Sequence, residues 1–168
     1  LQIVVAFRML PESVWNMPRL GTFNLHASLL PQYRGAAPIN WAIINGDKET
    51  GVTTFFLKHE IDTGDVIFRD VVAIDENDNA GTLHDKLMLQ GGDTVVRTVE
   101  AIVNGEVAAV AQTAMYACES ELRPAPKIFR DTCRIDWTKS VPQVYDFVRG
   151  MSPYPAAWCE LVTPDGKE

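Results

Sequence analysis

Cysteine is scarce in this 168-residue chain: Cys118, Cys133 and Cys159 are widely spaced and form no CxxC pair. An odd, scattered set argues against a disulfide framework and a cysteine-rich zinc site, and fits a protein kept in a reducing cytoplasm. Long apolar runs are missing as well. The longest, such as Ile3 to Phe7 and Ala108 to Ala111, fall far short of the roughly 20 residues that span a bilayer. Positive charge is in deficit, with a formal net charge of −7, which argues against a general nucleic-acid binder whose affinity comes from Lys and Arg meeting phosphates. There is no internal repeat, no low-complexity tract and no charged leader with a small-residue cleavage site. Leu1 stands where an initiator Met would, and the turn at Pro164, Asp165 and Gly166 has almost nothing after it. We therefore expect an excerpt cut at both ends, long enough for one domain and part of a second.

What is present has an α/β rhythm. Leu1 to Phe7 is apolar and β-branched, Pro11 with residues 12–17 makes a helical turn or two, and Thr22 to His26 is extended, so the chain opens as a βαβ unit. Pro38, the apolar set Ile39, Ala42 and Ile43, and Gly46 after Asn45 give a helix with a start and a stop. Residues 51–57 and 66–74 read as strands, separated by HEIDTGD and closed by the turn-rich DENDN. A long helix is expected from Thr82 to Val103, with a buried stripe of Leu83, Leu87, Val95, Val99 and Ile102, weakened in the middle by Gly91 and Gly92. Periodicity then stops. Residues 113–130, with Pro124 and Pro126, read as a linker between residues 1–112 and a second unit at 131–168, which holds a helix over 141–150 and a strand over 157–162.

The segment NLHASLLPQYRGAAP, from Asn24 to Pro38, is the richest in chemistry. Alternation along a strand sends Asn24 and His26 to one face and Leu25 to the other. The pair also sits at a strand's carboxyl end, where open α/β sheets bind ligands. An amide donor beside an imidazole suits an oxygen that turns negative in a tetrahedral intermediate, although an Asn and a His that merely satisfy strand-end backbone groups fit the same pattern. In EIDTGDVI, Gly64 permits a backbone that a Cβ would resist and can turn Asp62 into a cleft. There a carboxylate would favour and orient an imidazolium; read alone, the tetrapeptide also fits a solvated turn, and it lacks the alternating ligands of a calcium loop.

The run from Asn24 to Ile67 resembles the signature region of the 10-formyltetrahydrofolate-dependent formyltransferases: Asn-x-His, then SLLPxYRG, a helix, and Asp-x-Gly. The likeness continues through PAPKIFRDTCRIDW and SPYPAAW and so covers nearly the whole chain. It implies an α/β fold, the C-terminal part of a Rossmann-like formyltransferase domain followed by the linker and the start of an OB-like domain. It implies a catalytic triad of Asn24, His26 and Asp62, and donor contacts from Ser28, Leu29, Leu30 and Pro31. Residues 7–10 and the turn around Asp62 would line the pteridine cleft. The implied reaction is attack of a primary amine on the N10-formyl carbon of 10-formyltetrahydrofolate, without a metal or a covalent enzyme intermediate.

Within that wider family the acceptors include glycinamide ribonucleotide, amino-sugar nucleotides and methionyl-tRNA. Ala36-Ala37 after YRG, the DTGD form of the loop and the PKI…RIDW stretch favour methionyl-tRNA, with amino-sugar nucleotides as runner-up. Charge adds a hint. Residues 1–112 hold 8 basic and 14 acidic side chains, whereas Arg123, Lys127, Arg130, Arg134 and Lys139 face only Asp131 and Asp136 within their stretch; such a strip can follow a tRNA backbone or be a solvated hinge. A folate-binding module without turnover is a further reading, against which Asn24, His26 and Asp62 are all intact. His59 and His84 read as surface residues, and Trp41 and Trp137 as core or interface. A sheet that lacks neighbours on one side would need cover, so self-association is expected.

Overall fold

The computed structural model describes residues 1–6 and 9–162; Phe7 and Arg8 of the expected cleft loop, and the expected turn at 164–166, lie outside them. Four strands form one mixed sheet in the order β1 (Gln2–Val5), β2 (Thr22–His26), β3 (Glu49–Phe56) and β4 (Val66–Ala73). β1 and β2 run parallel around the single-turn helix α1 (Glu12–Trp15), as the βαβ reading expects, and β3 and β4 then return antiparallel. The β1–β2 connection carries the chain across the sheet; the others double back.

Each face of the sheet has a different cover. On one side lies α3 (Ala80–Asn104), started by a capping box between Asn79 and Thr82 and ended by Gly105 in the left-handed conformation. Leu83, Leu87 and Ile102 are buried as expected, while Val95 and Val99 are only partly so. Thr94 and Thr98 take fully buried places that a hydrophobicity pattern does not reveal, because hydrogen bonds satisfy them: the Thr98 hydroxyl lies 2.9 Å from that of Thr54 on β3. Gly91 is the contact point with β2, where a Cβ would meet Leu25 Cδ2 at 2.7 Å; nothing lies within 4 Å of the same position on Gly92.

The opposite face, which carries Asn24, His26 and Phe55, is covered by irregular chain rather than by a helix. Leu30 from the loop after β2 packs there with Phe55 and Val66, and Met115 borders them. Burying side chains of this size contributes about 1.5–3 kcal/mol each. The loop can thus be held firmly without regular structure.

Helix α4 (Val141–Gly150) has the expected bounds and docks on α2 (Pro38–Ile44), where Asn40 Nδ2 donates to the Gly150 carbonyl at 2.8 Å. The expected strand over 157–162 does not form. Residues around Trp158 make a single bridge to Arg134, because no longer partner runs beside them among the described residues. Trp41 is partly buried and donates to the Pro126 carbonyl, whereas Trp137 is 65% exposed and belongs to no core cluster. At the far edge, Ile3 and Val5 of β1 are 43% and 54% exposed. No helix of the described residues is long and apolar enough to cross a membrane.

Candidate active site

Strand alternation places Asn24 and His26 as expected, on one face at the end of β2 and both at least nine-tenths buried. The Asn24 side-chain Oδ1 is shut off from solvent and has no hydrogen-bond partner among the described residues. Such an unpaired amide costs about 1–3 kcal/mol. A ligand N–H or O–H at this point would satisfy Oδ1, and Nδ2 is the atom that can donate.

His26 is more firmly held. Its Nε2 lies 2.8 Å from the Tyr33 carbonyl oxygen. A carbonyl only accepts, so Nε2 carries the proton and Nδ1 is the nitrogen left for chemistry. Nδ1 is 3.7 Å from Asp62 Oδ2, close enough for charge attraction and too far for a direct hydrogen bond. The three residues are thus gathered from two distant parts of the chain.

The Asp62 turn has an unusual backbone. Asp62 itself has φ +56°, in the left-handed region that few non-glycine residues adopt outside such turns. Gly64 excludes a Cβ as expected, which would lie 1.6 Å from the Phe56 carbonyl oxygen. The glycine lets the turn lie against the end of β3. Asp62 Oδ2 is then fixed by the Gly35 N–H at 3.0 Å.

The stretch expected to be a linker forms a wall of this site. Tyr33 N–H donates to the Arg123 carbonyl, Ala125 N–H to the Arg34 carbonyl, and the Ala36 N–H back to the Ala125 carbonyl. Gly35, with φ +126°, permits the approach, since a Cβ would meet the Ala125 oxygen at 2.4 Å. The Tyr33 hydroxyl donates to Asp47 at 2.6 Å, and Arg123 reaches both Tyr33 Oη and Asp47. Burial and then the Asp47 carboxylate push the Tyr33 hydroxyl above its ordinary range, so it stays a donor. These bonds hold the carbonyl on which His26 rests.

The remaining expected residues sit less openly. Ser28 is fully buried and donates to the Gln32 carbonyl; Leu30 is in the core and its N–H donates to Thr53. Pro31 is buried and Leu29 only partly exposed. His59 is exposed beside Glu12, and His84 beside Asp85. Sequence reading missed Gln112, which is 2% exposed and bonded to the Asp62 turn. Its only signal is its place, at the point where helical periodicity ends. Two surface depressions, around Val71 and Leu89 and around Arg134 and Glu160, contain none of the three site residues. Among the described residues no group of His, Cys, Asp and Glu is arranged to hold a metal ion.

A mixed α/β sheet with an amide, an imidazole and a carboxylate at the end of an inner strand defines a class. The chain belongs to the formyl transferase family: residues 1–99 match the family's model "Formyl transferase" and residues 127–168 match "Formyl transferase, C-terminal domain". It is 71% identical over 166 residues to methionyl-tRNA formyltransferase of Phocaeicola vulgatus, covering 99% of this chain and 51% of that protein. The chain therefore spans about half the length of the curated relatives it matches. Among solved structures it is similar in fold to HypX from Aquifex aeolicus in complex with tetrahydrofolic acid, with TM-score 0.77, 21% identity, and coverage of 96% of this chain and 28% of that one. It is also similar to an N-formyltransferase from Helicobacter canadensis in complex with folinic acid and dTDP-3-aminofucose, with TM-score 0.65, 24% identity and coverage of 76% and 46%.

Proposed function

We propose that this chain carries the reacting residues of an enzyme that moves the formyl group of 10-formyltetrahydrofolate to the amino group of methionyl-tRNA, in the cytoplasm, for translation initiation. The buried pair Asn24 and His26 on one face of β2, with Asp62 Oδ2 3.7 Å from His26 Nδ1, carries the catalytic part of this reading. The acceptor rests on relatives 60–71% identical that bear the name methionyl-tRNA formyltransferase.

In this reading the acceptor amine attacks the formyl carbon, and the carbonyl oxygen becomes an oxyanion. Asn24 donates to that oxygen through its Nδ2. His26, held through Nε2 by the Tyr33 carbonyl, presents Nδ1 as imidazolium to the same charge. Asp62, with Oδ2 anchored on Gly35, keeps the imidazolium in place and receives the amine proton through water. Collapse of the tetrahedral carbon breaks its bond to N10, which takes up the proton that left the amine, and releases a formamide and tetrahydrofolate. Ser28, Leu29, Leu30 and Pro31 supply the donor contacts in this reading, Leu29 being the one that is partly exposed. In this reading the chain divides at 112 and 130, with the segment between them as a docked strap.

The test offers 10-formyltetrahydrofolate and one of methionyl-tRNA, glycinamide ribonucleotide or an amino-sugar nucleotide to the full-length protein carrying this sequence. Formylation of methionyl-tRNA alone is expected. Preferential formylation of the sugar nucleotide would overturn the choice of acceptor.

A further inference from the structure

Gln112 opens the short 3-10 turn Gln112–Ala114 where the chain enters the strap, fifty residues after Asp62, and every hydrogen-bonding position of its amide is in use. Nε2 donates to the carbonyl oxygens of Asp62 at 2.8 Å and Gly64 at 2.9 Å, the two ends of the turn that presents the carboxylate. Oε1 accepts from Arg34 Nε at 3.0 Å and Nη2 at 2.7 Å. Arginine can only donate, so the amide has one possible orientation. Arg34 in turn precedes Gly35, whose N–H holds Asp62 Oδ2.

The two attachments of Asp62 are therefore joined through one side chain. Its backbone hangs on Gln112 Nε2, its carboxylate hangs on Gly35, and Arg34 ties Gln112 to the residue before Gly35. Asp62 also has a left-handed backbone, which persists only where surrounding bonds hold it. We propose that Gln112 is a positioning residue for formyl transfer, acting on the reaction only through Asp62. It rests on the reading of Asn24, His26 and Asp62 as the reacting set. A buried amide that served folding alone would not couple to Asp62.

A double-mutant cycle in the full-length protein separates them. Gln112→Met keeps the volume and removes both donations; Gln112→Glu keeps an acceptor for Arg34, removes the donations and serves if the Met variant does not fold. Steady-state formylation is measured in each, alone and combined with Asp62→Asn. A misplaced reacting group costs on the order of a hundredfold. The expected result is a fall in kcat of about that size with KM for 10-formyltetrahydrofolate changed less than about threefold, shrinking to under about threefold in the Asp62→Asn background. If the Gln112 and Asp62 effects simply multiply, or if Gln112 variants keep kcat while Asp62→Asn loses it, Gln112 is not a positioning residue. If Asp62→Asn itself keeps full kcat, the underlying triad fails, and the proposal with it.

Discussion

Single residues set what this site can do and also what holds the corner beneath it. Tyr33 offers only its carbonyl to His26, yet that choice leaves Nδ1 as the reactive nitrogen. A second polar centre lies at the start of α3. There burial raises the Asp78 carboxyl, but hydrogen bonds from Lys86, the Asp75 N–H and Thr82 outweigh it and hold the group below its usual range. A carboxyl depressed in the folded state stabilises above its unfolded value, and that stability is lost as pH falls through the folded value. Thermal midpoints measured from pH 6 downward are thus expected to drop below about pH 4, and Asp78→Asn is expected to flatten that part of the curve. An unchanged acid limb in the variant would contradict the assignment.

Elements were legible in the sequence wherever local pattern and tertiary setting agree. β2 and α4 have the expected bounds because alternation ends at His26, and because Pro142 and Gly150 bracket an apolar face. The strand expected near Trp158 failed since a strand depends on a partner, which no local pattern supplies. Non-local contacts also hid the wall built by Arg123 and Ala125, the left-handed Asp62 and the role of Gln112. The paired glycines of α3 show the same division. Both weaken a helix on paper, but only Gly91 touches Leu25, the residue between Asn24 and His26. Gly92→Ala is expected to raise unfolding free energy by about 0.5–1 kcal/mol in urea. Gly91→Ala is expected to lower it, since crowding a packed contact typically costs about 1–3 kcal/mol. Equal gains from both would show that Leu25 yields freely.

At the scale of the whole molecule, the basic stretch and the open edge of the sheet each set an expectation about partners. Of the five basic residues from Arg123 to Lys139, Arg123 pairs with Asp47 and Arg134 with Glu160. Arg130 stacks over Trp158, Lys127 over Phe129, and Lys139 is exposed. Reversing Lys127, Arg130 and Lys139 to Glu is expected to weaken methionyl-tRNA binding and flatten its salt dependence, with KM for the folate unchanged. Unaltered tRNA affinity in a filter assay would make the strip a solvated hinge. The exposed Ile3 and Val5 on edge strand β1 favour pairing with another edge, so light scattering of the 168-residue chain by itself is expected to show self-association. A monodisperse monomer at high concentration would count against that. The central claim, that Asn24, His26 and Asp62 perform formyl transfer, is tested most directly by one rate. In the full-length protein, kcat for formylation of methionyl-tRNA is expected to fall on the order of a hundredfold, about 3 kcal/mol, in each of Asn24→Ala, His26→Ala and Asp62→Ala. Turnover left intact in all three folded variants would contradict it.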